Sequence, residues 1–399
     1  MDLTIPENYR DKLEHIETKD CREDAEILAA LQEHRPVTSE KNVWAYWHAG
    51  LQNMPKWCQR NVIDWVRILG PDWTIRVLDS VAGSVNNVLR FVPEDLLPPA
   101  FVDQTMDGPF ARQHSSDFAR TACLYNHGGV WIDVGIMLSR HLDRICWREL
   151  EDSSSPYQVA ISMMWGMCAI NFFIASRKGN PFIYQWHRLF LHIWGDKKNA
   201  KGSISNPLIA PILPQMWEGK LEGWKMDWGD NVAMLEYVMQ IGCFTRLLCL
   251  EDVGEGLSGI DYWRNHIMGI DTVQEVWRKE YEIGFADFSE RAFEMLQLPV
   301  SGPGADPTAQ IYKDAERFVW DTLANQSMWK LFRAAGMDHH KTLAALLDIP
   351  ENDAKVTAPN TFGALLRYGT VHLRQTRENI GMVPKVEPIQ TWNKGVFEP

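Results

Sequence analysis

The pattern of apolar and polar positions in the first half of the chain predicts an α/β fold. Short apolar runs predict strands near 43–47, 73–78, 129–138, 157–165 and 170–176. Apolar residues at helical spacing predict helices near 54–69, 111–127 and 182–194. Strand, helix and strand within about 35 residues indicate a parallel pair with a right-handed crossover. We therefore expect a mixed sheet layered by helices.

The two ends of the chain show mainly helical patterns. Residues 8–35 are charged, with apolar residues at roughly helical spacing until Pro36. The helical patterns after about residue 230 lie at 230–242, 271–282, 308–335, 339–348 and 361–376. The tail from Val383 is rich in proline and has no periodicity, so it is either a wrapping arm or partly disordered. The expected parts are an N-terminal helical extension over 1–40, a core domain over 41–260 and a mainly helical region over 261–399.

Composition narrows the class of protein. The 399 residues are 45% hydrophobic and 23% charged, which is ordinary for a soluble globular protein. A net charge of −12 argues against a nucleic-acid binder, which needs a basic surface. None of the seven scattered cysteines forms a Cys-x-x-Cys pair, so neither a disulfide framework nor a zinc site is indicated. With no signal-peptide pattern and no apolar stretch of the roughly 18–20 residues that span a bilayer, we expect a cytoplasmic protein without a transmembrane segment.

Three charged residues stand where a ligand is expected. Asp117 and Arg120, three apart on a predicted helix, project from the same side. A Gly-Gly turn then leads into an apolar strand that ends in Asp133, and open α/β sheets bind ligands at the carboxyl ends of their strands. Such an acid suits ribose hydroxyls or a divalent cation that bridges a diphosphate. The alternatives are a surface ion pair for Asp117 and Arg120 and a backbone cap for Asp133.

The segment carries two motifs, Ser116-Asp117-x-x-Arg120 and Gly128-Gly129-Val130-Trp131-Ile132-Asp133. They resemble the signature of glycosyltransferases related to capsular polysaccharide synthesis proteins, a DXD-type sugar-binding group that includes initiating mannosyltransferases and glucosylating toxins. The segments 43–55 and 169–182 are similar to the opening strand and a later strand of that family. The resemblance implies a GT-A-like nucleotide-sugar-binding fold, with 41–260 as the catalytic domain and 261–399 covering the acceptor side.

The resemblance also implies roles for single residues. It assigns Asp117 and Arg120 to the hydroxyl groups of the donor sugar, and Asp133 to the ribose. Trp47 corresponds to the aromatic residue that stacks on the nucleotide base. Asn171 corresponds to an amide that contacts the donor sugar or the acceptor.

Metal binding is the point at which the sequence departs from the family pattern. The resemblance gives Asp133 to a divalent cation, Mn²⁺ or Mg²⁺, directly or through water, but the second acid of the motif falls on Gly135. Three outcomes are open: another acid or histidine completes the metal site, a lysine or arginine neutralises the diphosphate without a metal, or transfer activity is lost. The candidates for a further ligand are Asp227, Asp230, Glu251, Asp252 and His266.

The resemblance implies a retaining glycosyltransferase that moves a hexose from a nucleotide diphosphate sugar to a hydroxyl group. Relatives that glycosylate proteins in the Golgi carry membrane anchors, so the acceptor expected here is a small molecule of secondary metabolism or a glycan precursor. The alternative is an altered glycosyltransferase fold that binds a nucleotide sugar or an apolar ligand without transfer. Three tryptophans either pack in the core or line an aromatic cleft: Trp217, Trp224 and Trp228. The oligomeric state is left open.

Overall fold

The computed structural model describes residues 4–164, 166, 168–213, 232–252, 256–331 and 342–399. The strands in these residues are β1 (Leu13–His15), β2 (Asn42–Tyr46), β3 (Thr74–Leu78), β4 (Gly129–Ile132), β5 (Ile136–Leu138), β6 (Val159–Met164), β7 (Cys168–Ser176), β8 (Ile267–Asp271), β9 (Met328–Lys330) and β10 (Leu373–Gln375). The helices are α1 (Asp24–Ala30), α2 (Lys56–Leu69), α3 (Pro99–Val102), α4 (Ala111–His127), α5 (Arg148–Glu151), α6 (Pro181–Trp194), α7 (Val232–Tyr237), α8 (Met239–Leu248), α9 (Gly259–His266), α10 (Thr272–Glu275), α11 (Arg278–Ile283), α12 (Phe285–Leu296), α13 (Gln310–Asn325), α14 (Leu343–Leu347), α15 (Pro350–Thr357) and α16 (Phe362–His372).

Six strands form the central sheet in the order β3-β2-β4-β7-β6-β8. Strand β2 runs parallel to both β3 and β4, and β8 runs parallel to β6. Strand β7 alone runs antiparallel, against β4 and β6. The predicted α/β class and the predicted parallel β2–α2–β3 unit are therefore confirmed. All the strands except β7 end at the same edge of the sheet.

Alternate residues of the central strands pack into two apolar layers. Val43 and Ala45 of β2 belong to the layer that contains α2, and Trp44 belongs to the layer that contains α4 and α6. Helix α2 turns Val62, Trp65, Val66 and Leu69 inward as predicted, and all four are buried. Helix α4 packs on β2, β4 and β7 on one side and on α6 on the other. Burial of each large apolar side chain contributes about 1.5–3 kcal/mol before the entropic cost of ordering it.

The predicted strand over 129–138 is wrong as a single element. Strand β4 ends at Ile132, and β5 pairs with β9 in a separate two-stranded sheet. Between them the Ile136 amide donates to the Asp133 carbonyl over 3.0 Å, which closes a turn. The chain therefore leaves the central sheet directly after Asp133 and presents that side chain at the edge.

Four strands were missed, and three of them lie inside runs with a helical pattern. The N-terminal run 8–35 contains β1, which pairs antiparallel with β10 from the predicted helix 361–376, so the α-helix in this run is limited to α1. Strand β9 lies in the predicted helix 308–335, which ends at Asn325. Strand β8 extends the central sheet past residue 260, although no strand was predicted there. The division of the chain at 260 stays a prediction.

The tail from Val383 is a wrapping arm. Its backbone pairs with Gly269 through the Val383 amide, and its Trp392 forms a bridge with Leu250. The Lys385 ammonium lies 3.8 Å above the Trp263 ring. Among the described parts of the chain, no helix combines the length and the apolar character needed to cross a membrane.

Candidate active site

The carboxyl edge of the central sheet gathers the predicted site residues. Asp133 follows β4, and Trp47 follows the neighbouring strand β2. The antiparallel strand β7 begins at this edge, and its Phe172 carbonyl accepts from the Asp133 amide over 3.0 Å. This contact places Asn171, the preceding residue of β7, beside Asp133 in the sheet.

Two glycines direct the chain from α4 into β4. Gly128 ends α4 with φ +71°, and Gly129 begins β4 with φ +105°, conformations that side chains rarely adopt. A Cβ atom on Gly129 would lie 2.5 Å from the Asn42 carbonyl oxygen, so the close approach of β2 also requires glycine. The turn brings the last residue of β4 back beside the helix that precedes it.

Asp117 and Arg120 form a buried ion pair on α4, Nη1 donating to Oδ1. The two residues are 6% and 4% exposed, so the surface ion pair considered from the sequence is excluded. A buried pair is costly to form and strongly destabilising to break, because removal of one partner leaves an uncompensated charge. A buried pair at the ligand-binding edge of the sheet is therefore a candidate for a role in ligand binding.

The same guanidinium reaches the strand-end acid. Arg120 Nη2 lies 3.3 Å from Asp133 Oδ1, and the guanidinium lies 5.2 Å from the Trp131 ring. Trp131 Nε1 donates to Asp133 Oδ1 over 3.0 Å. Asn171 Nδ2 donates to Asp117 Oδ1 over 3.1 Å. The structure therefore brings Asp117, Arg120, Asp133 and Asn171 together, as the sequence predicts.

Gln240, near the start of α8, completes this cluster and was missed from the sequence. Its Oε1 accepts from Arg120 Nη1 over 2.9 Å and from Asn171 Nδ2 over 2.8 Å. Its Nε2 donates to the Asp117 carbonyl over 2.5 Å, and the side chain is fully buried. The available signal is a lone amide inside the apolar run Val-Met-Gln-Ile-Gly-Cys-Phe, because a buried amide needs partners.

Lys330, the last residue of β9, was also missed. Its Nζ lies 3.1 Å from Asp133 Oδ2, and its side chain is 14% exposed. The only sequence signal is again a polar residue in an apolar run, Met-Trp-Lys-Leu-Phe. Asp133 therefore accepts from Arg120 and Trp131 at one oxygen and from Lys330 at the other.

Burial and charge act differently on the two acids. Burial raises the pKa of Asp117 to about 7, against the effect of the Arg120 guanidinium. Burial also disfavours ionisation of Asp133, but Lys330 and Arg120 outweigh it and hold the pKa of that carboxyl below its usual value. Asp133 is therefore ionised at neutral pH, and its side chain keeps 27% exposure at the edge. A ligand thus meets an ionised acid that is flanked by two cations.

Trp47 lies at the same edge and is half-buried, with its ring 6.0 Å from that of His48. Its stacking on a base stays a prediction, as do the individual roles of the other site residues. Trp217, Trp224 and Trp228 lie outside the described residues. No aromatic cleft is therefore assigned to them.

The described residues around Asp133 do not fit a divalent cation. Gly135 supplies no side-chain oxygen, and both oxygens of Asp133 accept from positively charged or N–H groups. In the described ranges, no group of three or more His, Cys, Asp or Glu side chains is arranged to hold a metal ion. Magnesium and manganese require several oxygen ligands, and nearby ammonium and guanidinium groups repel them. The metal at Asp133 stays a prediction that this donor set does not favour.

Of the further ligands considered from the sequence, Glu251 and His266 have described contacts away from Asp133. Asp227 and Asp230 lie outside the described residues. Glu251 accepts from Thr391 of the C-terminal arm over 2.7 Å. His266 contacts the Pro156 carbonyl and precedes β8, at the edge of the sheet opposite Asp133.

Known proteins resemble this chain over its whole length. Residues 6–202 match the family model of capsular polysaccharide synthesis proteins. The chain is 42% identical to the probable glycosyltransferase FCK3 of Fusarium pseudograminearum, with 100% of both chains covered. It is 39% identical to the O-glycosyltransferase braB of Annulohypoxylon truncatum, with 97% of this chain and 93% of braB covered. The chain belongs to the glycosyltransferases related to capsular polysaccharide synthesis proteins.

The resemblance predicted from the motifs is thereby confirmed, and the protein is a glycosyltransferase. The stretch that matches the family model contains Trp47, Asp117, Arg120, Asp133 and Asn171, whereas Gln240 and Lys330 lie beyond it. Among solved structures, the PaToxG glycosyltransferase is similar with a TM-score of 0.26 and 15% identity, covering 55% of this chain and 92% of its own. That score is too low for a comparison of the two sites.

Proposed function

We propose that this glycosyltransferase moves a hexose from a nucleotide diphosphate sugar to a hydroxyl group of a small-molecule or glycan acceptor, with retention of the anomeric configuration. The observation that carries the proposal is the buried contact of Arg120 with both Asp117 and Asp133 at the carboxyl edge of the sheet. The name of the relative braB, an O-glycosyltransferase, supports an oxygen acceptor. Action in the cytoplasm is part of the same proposal.

The donor sugar is bound by the cluster on α4 and β7. A carboxylate accepts from sugar hydroxyls, and a guanidinium and an amide donate to them, so Asp117, Arg120 and Asn171 supply both kinds of group. Gln240 fixes the orientation of Arg120 and Asn171 because its one amide oxygen accepts from both. Side chains held in this way need little reordering when the sugar binds.

The nucleotide lies along the ends of β2 and β4. Asp133 is ionised and partly exposed, so its carboxylate suits the ribose hydroxyls. Trp47, at the end of the neighbouring strand, offers an aromatic face to the base. These two residues set the direction of the donor across the edge, with the sugar towards α4.

The reaction breaks the bond between the anomeric carbon and the diphosphate oxygen and forms a bond from that carbon to the acceptor oxygen. The leaving diphosphate keeps the electron pair of the broken bond, and it takes the proton of the acceptor hydroxyl. Positive charge grows on the carbon and negative charge on the diphosphate. The protein's contribution is to hold the two substrates together and to stabilise these charges.

The test is a transfer assay with a panel of UDP- and GDP-hexoses and hydroxylated acceptors, read as the mass of one added hexose. Asp117→Asn is expected to lose transfer because it removes the charge that holds Arg120. The matched control is Asp64→Asn, which breaks another buried pair, Asp64 with Arg367, on α2 and α16. We expect the control to lose stability and keep transfer. Full transfer by Asp117→Asn would contradict the assigned site.

A second candidate function is donor binding without transfer of the sugar. It is considered because Gly135 replaces the second acid of the family motif. Calorimetry with the same donors, run beside the transfer assay, separates the two, because calorimetry detects donor binding and mass spectrometry detects turnover. Donor binding without hydrolysis or transfer, across the whole panel, would favour the second candidate.

A further inference from the structure

Contacts on both sides hold the backbone of Lys330 in place. Strand β9 pairs with β5, with Lys330 opposite Ile136. Trp277 Nε1 donates to the Lys330 carbonyl over 3.0 Å, and the next amide, that of Leu331, donates to the Gly135 carbonyl over 2.9 Å. The side chain then extends along Phe172, with its ammonium 6.0 Å from the ring centre. The ammonium group is therefore positioned by the fold.

The Lys330 ammonium lies next to Gly135, the residue at which the sequence departs from the family motif. A Cβ atom built on Gly135 would lie 3.1 Å from Lys330 Nζ and 2.8 Å from the Leu331 carbonyl oxygen. There is no room for an acidic side chain unless β9 moves. The end of β9 and the Lys330 ammonium therefore occupy the position where the family motif has a metal-ligating carboxylate.

The charges in the cluster show which cation is available to a diphosphate. Arg120 contacts Asp117, Asp133 and Gln240 through Nη1 and Nη2 and is 4% exposed, so its guanidinium is less accessible to a diphosphate than the Lys330 ammonium, whose side chain is 14% exposed. An ammonium group has three N–H donors, and among the described residues the hydrogen bond of Lys330 Nζ goes to Asp133. Lys330 can therefore keep Asp133 and still donate to phosphate oxygens beside it.

We infer that Lys330 takes the place of a divalent cation: its ammonium binds the diphosphate of the donor and stabilises the negative charge that grows there during transfer. This inference rests on the proposed function, because it supposes a nucleotide diphosphate donor. The positive charge that neutralises the diphosphate then belongs to the protein itself and does not depend on the metal concentration. Binding of the diphosphate then needs no manganese or magnesium.

The first experiment needs no variant. Binding of UDP, GDP, ADP and dTDP to the full chain is measured by calorimetry in excess EDTA and again with Mn²⁺. For whichever nucleotide binds, the inference predicts affinities that agree within about twofold, less than 1 kcal/mol. Binding that appears only with Mn²⁺ would overturn the inference and leave the proposed function intact. Absence of binding by every nucleotide in both conditions would remove the proposed function itself.

Variants then locate the charge. Lys330→Met is expected to weaken nucleotide binding at least about tenfold, with no recovery on addition of Mn²⁺, and Lys330→Arg is expected to restore part of the affinity. The matched control is Lys41→Met, because Lys41 contacts Asp143 and Glu151 and precedes β2 at the opposite edge of the sheet. We expect the control to bind like the wild type. Unchanged affinity in folded Lys330→Met, or recovery with Mn²⁺, would contradict the inference.

Discussion

Gln240 Oε1 lies 2.9 Å from Arg120 Nη1, although 120 residues separate them along the chain. The same oxygen accepts from Asn171, so one buried amide fixes a donor from α4 and a donor from β7. Through this contact α8, which is not part of the sheet, controls the geometry of the proposed sugar site. The orientation of Arg120 is thus a property of the tertiary structure.

Replacement of this amide tests whether the orientation matters for transfer. Gln240→Leu leaves buried donors of Arg120 and Asn171 without their acceptor, which costs roughly 1–3 kcal/mol of stability. A displaced Arg120 is also expected to lower kcat/KM on the order of 10- to 100-fold. Urea unfolding and the transfer assay measure the two effects separately.

The control for this variant is Gln375→Leu. Gln375 is also buried, and its amide donates to the Leu323 and Gln326 carbonyls, away from the cluster. We expect a similar loss of stability with no loss of transfer. Equal activity in the two variants would show that Gln240 has a structural role alone.

Glu280 makes stability depend on pH in a definite direction. Burial raises the pKa of this carboxyl to about 8, although Trp329 Nε1 donates to its Oε1 over 2.6 Å. The folded chain therefore holds a proton that the unfolded chain loses near pH 4.3, and the free energy of unfolding falls as the pH rises from about 4 to 8. Glu280→Gln removes this contribution. The free energy of unfolding of the variant should therefore rise relative to that of the wild type, by a few kcal/mol in total, as the pH increases from about 4 to 8.

Urea unfolding of the wild type and Glu280→Gln at several pH values measures that difference. Other titrating groups are common to both proteins and cancel to first order. A difference that stays constant between pH 5 and 8 would show that Glu280 ionises normally in the folded chain.

The close packing at Gly135 predicts that even one methyl group is costly there. Gly135→Ala places a Cβ 2.8 Å from the Leu331 carbonyl oxygen, which is backbone and has little freedom to move. We expect a loss of about 1–3 kcal/mol and a displaced β9. Gly395→Ala is the control, because its Cβ would meet only ordinary contacts, the nearest at 3.4 Å from Glu398. Equal stability of the two variants would contradict the packing described for Gly135.

The part of the site that could be predicted from the sequence is the part encoded locally. Asp117 and Arg120 share a helix face and Asp133 follows an apolar strand, which indicates a ligand edge, and the resemblance to the family then assigns these three residues, with Trp47 and Asn171, to one site. Lys330 lies 197 residues from Asp133, and no periodicity relates the two positions. Residues brought together only by tertiary packing leave just a weak trace, a polar side chain within an apolar run.

The fold shows the same division. Strands β2 and β3 were predicted because each is a distinct apolar run with a helix between them. Strands β1 and β10 are three residues long and depend on each other, as the pairing of Leu13 with Gln375 shows. Pairing across most of the chain overrides the local helical preference of such short segments.

The most direct test of the central claim compares the wild type with Asp133→Asn in the transfer assay. Asparagine keeps the shape of the side chain but removes the charge that Arg120 and Lys330 contact. We predict that the wild type releases nucleoside diphosphate and adds one hexose to an acceptor. The folded variant should be slower by about 10²–10³-fold. Equal rates in the two proteins would contradict the assignment of this cluster as the site of transfer.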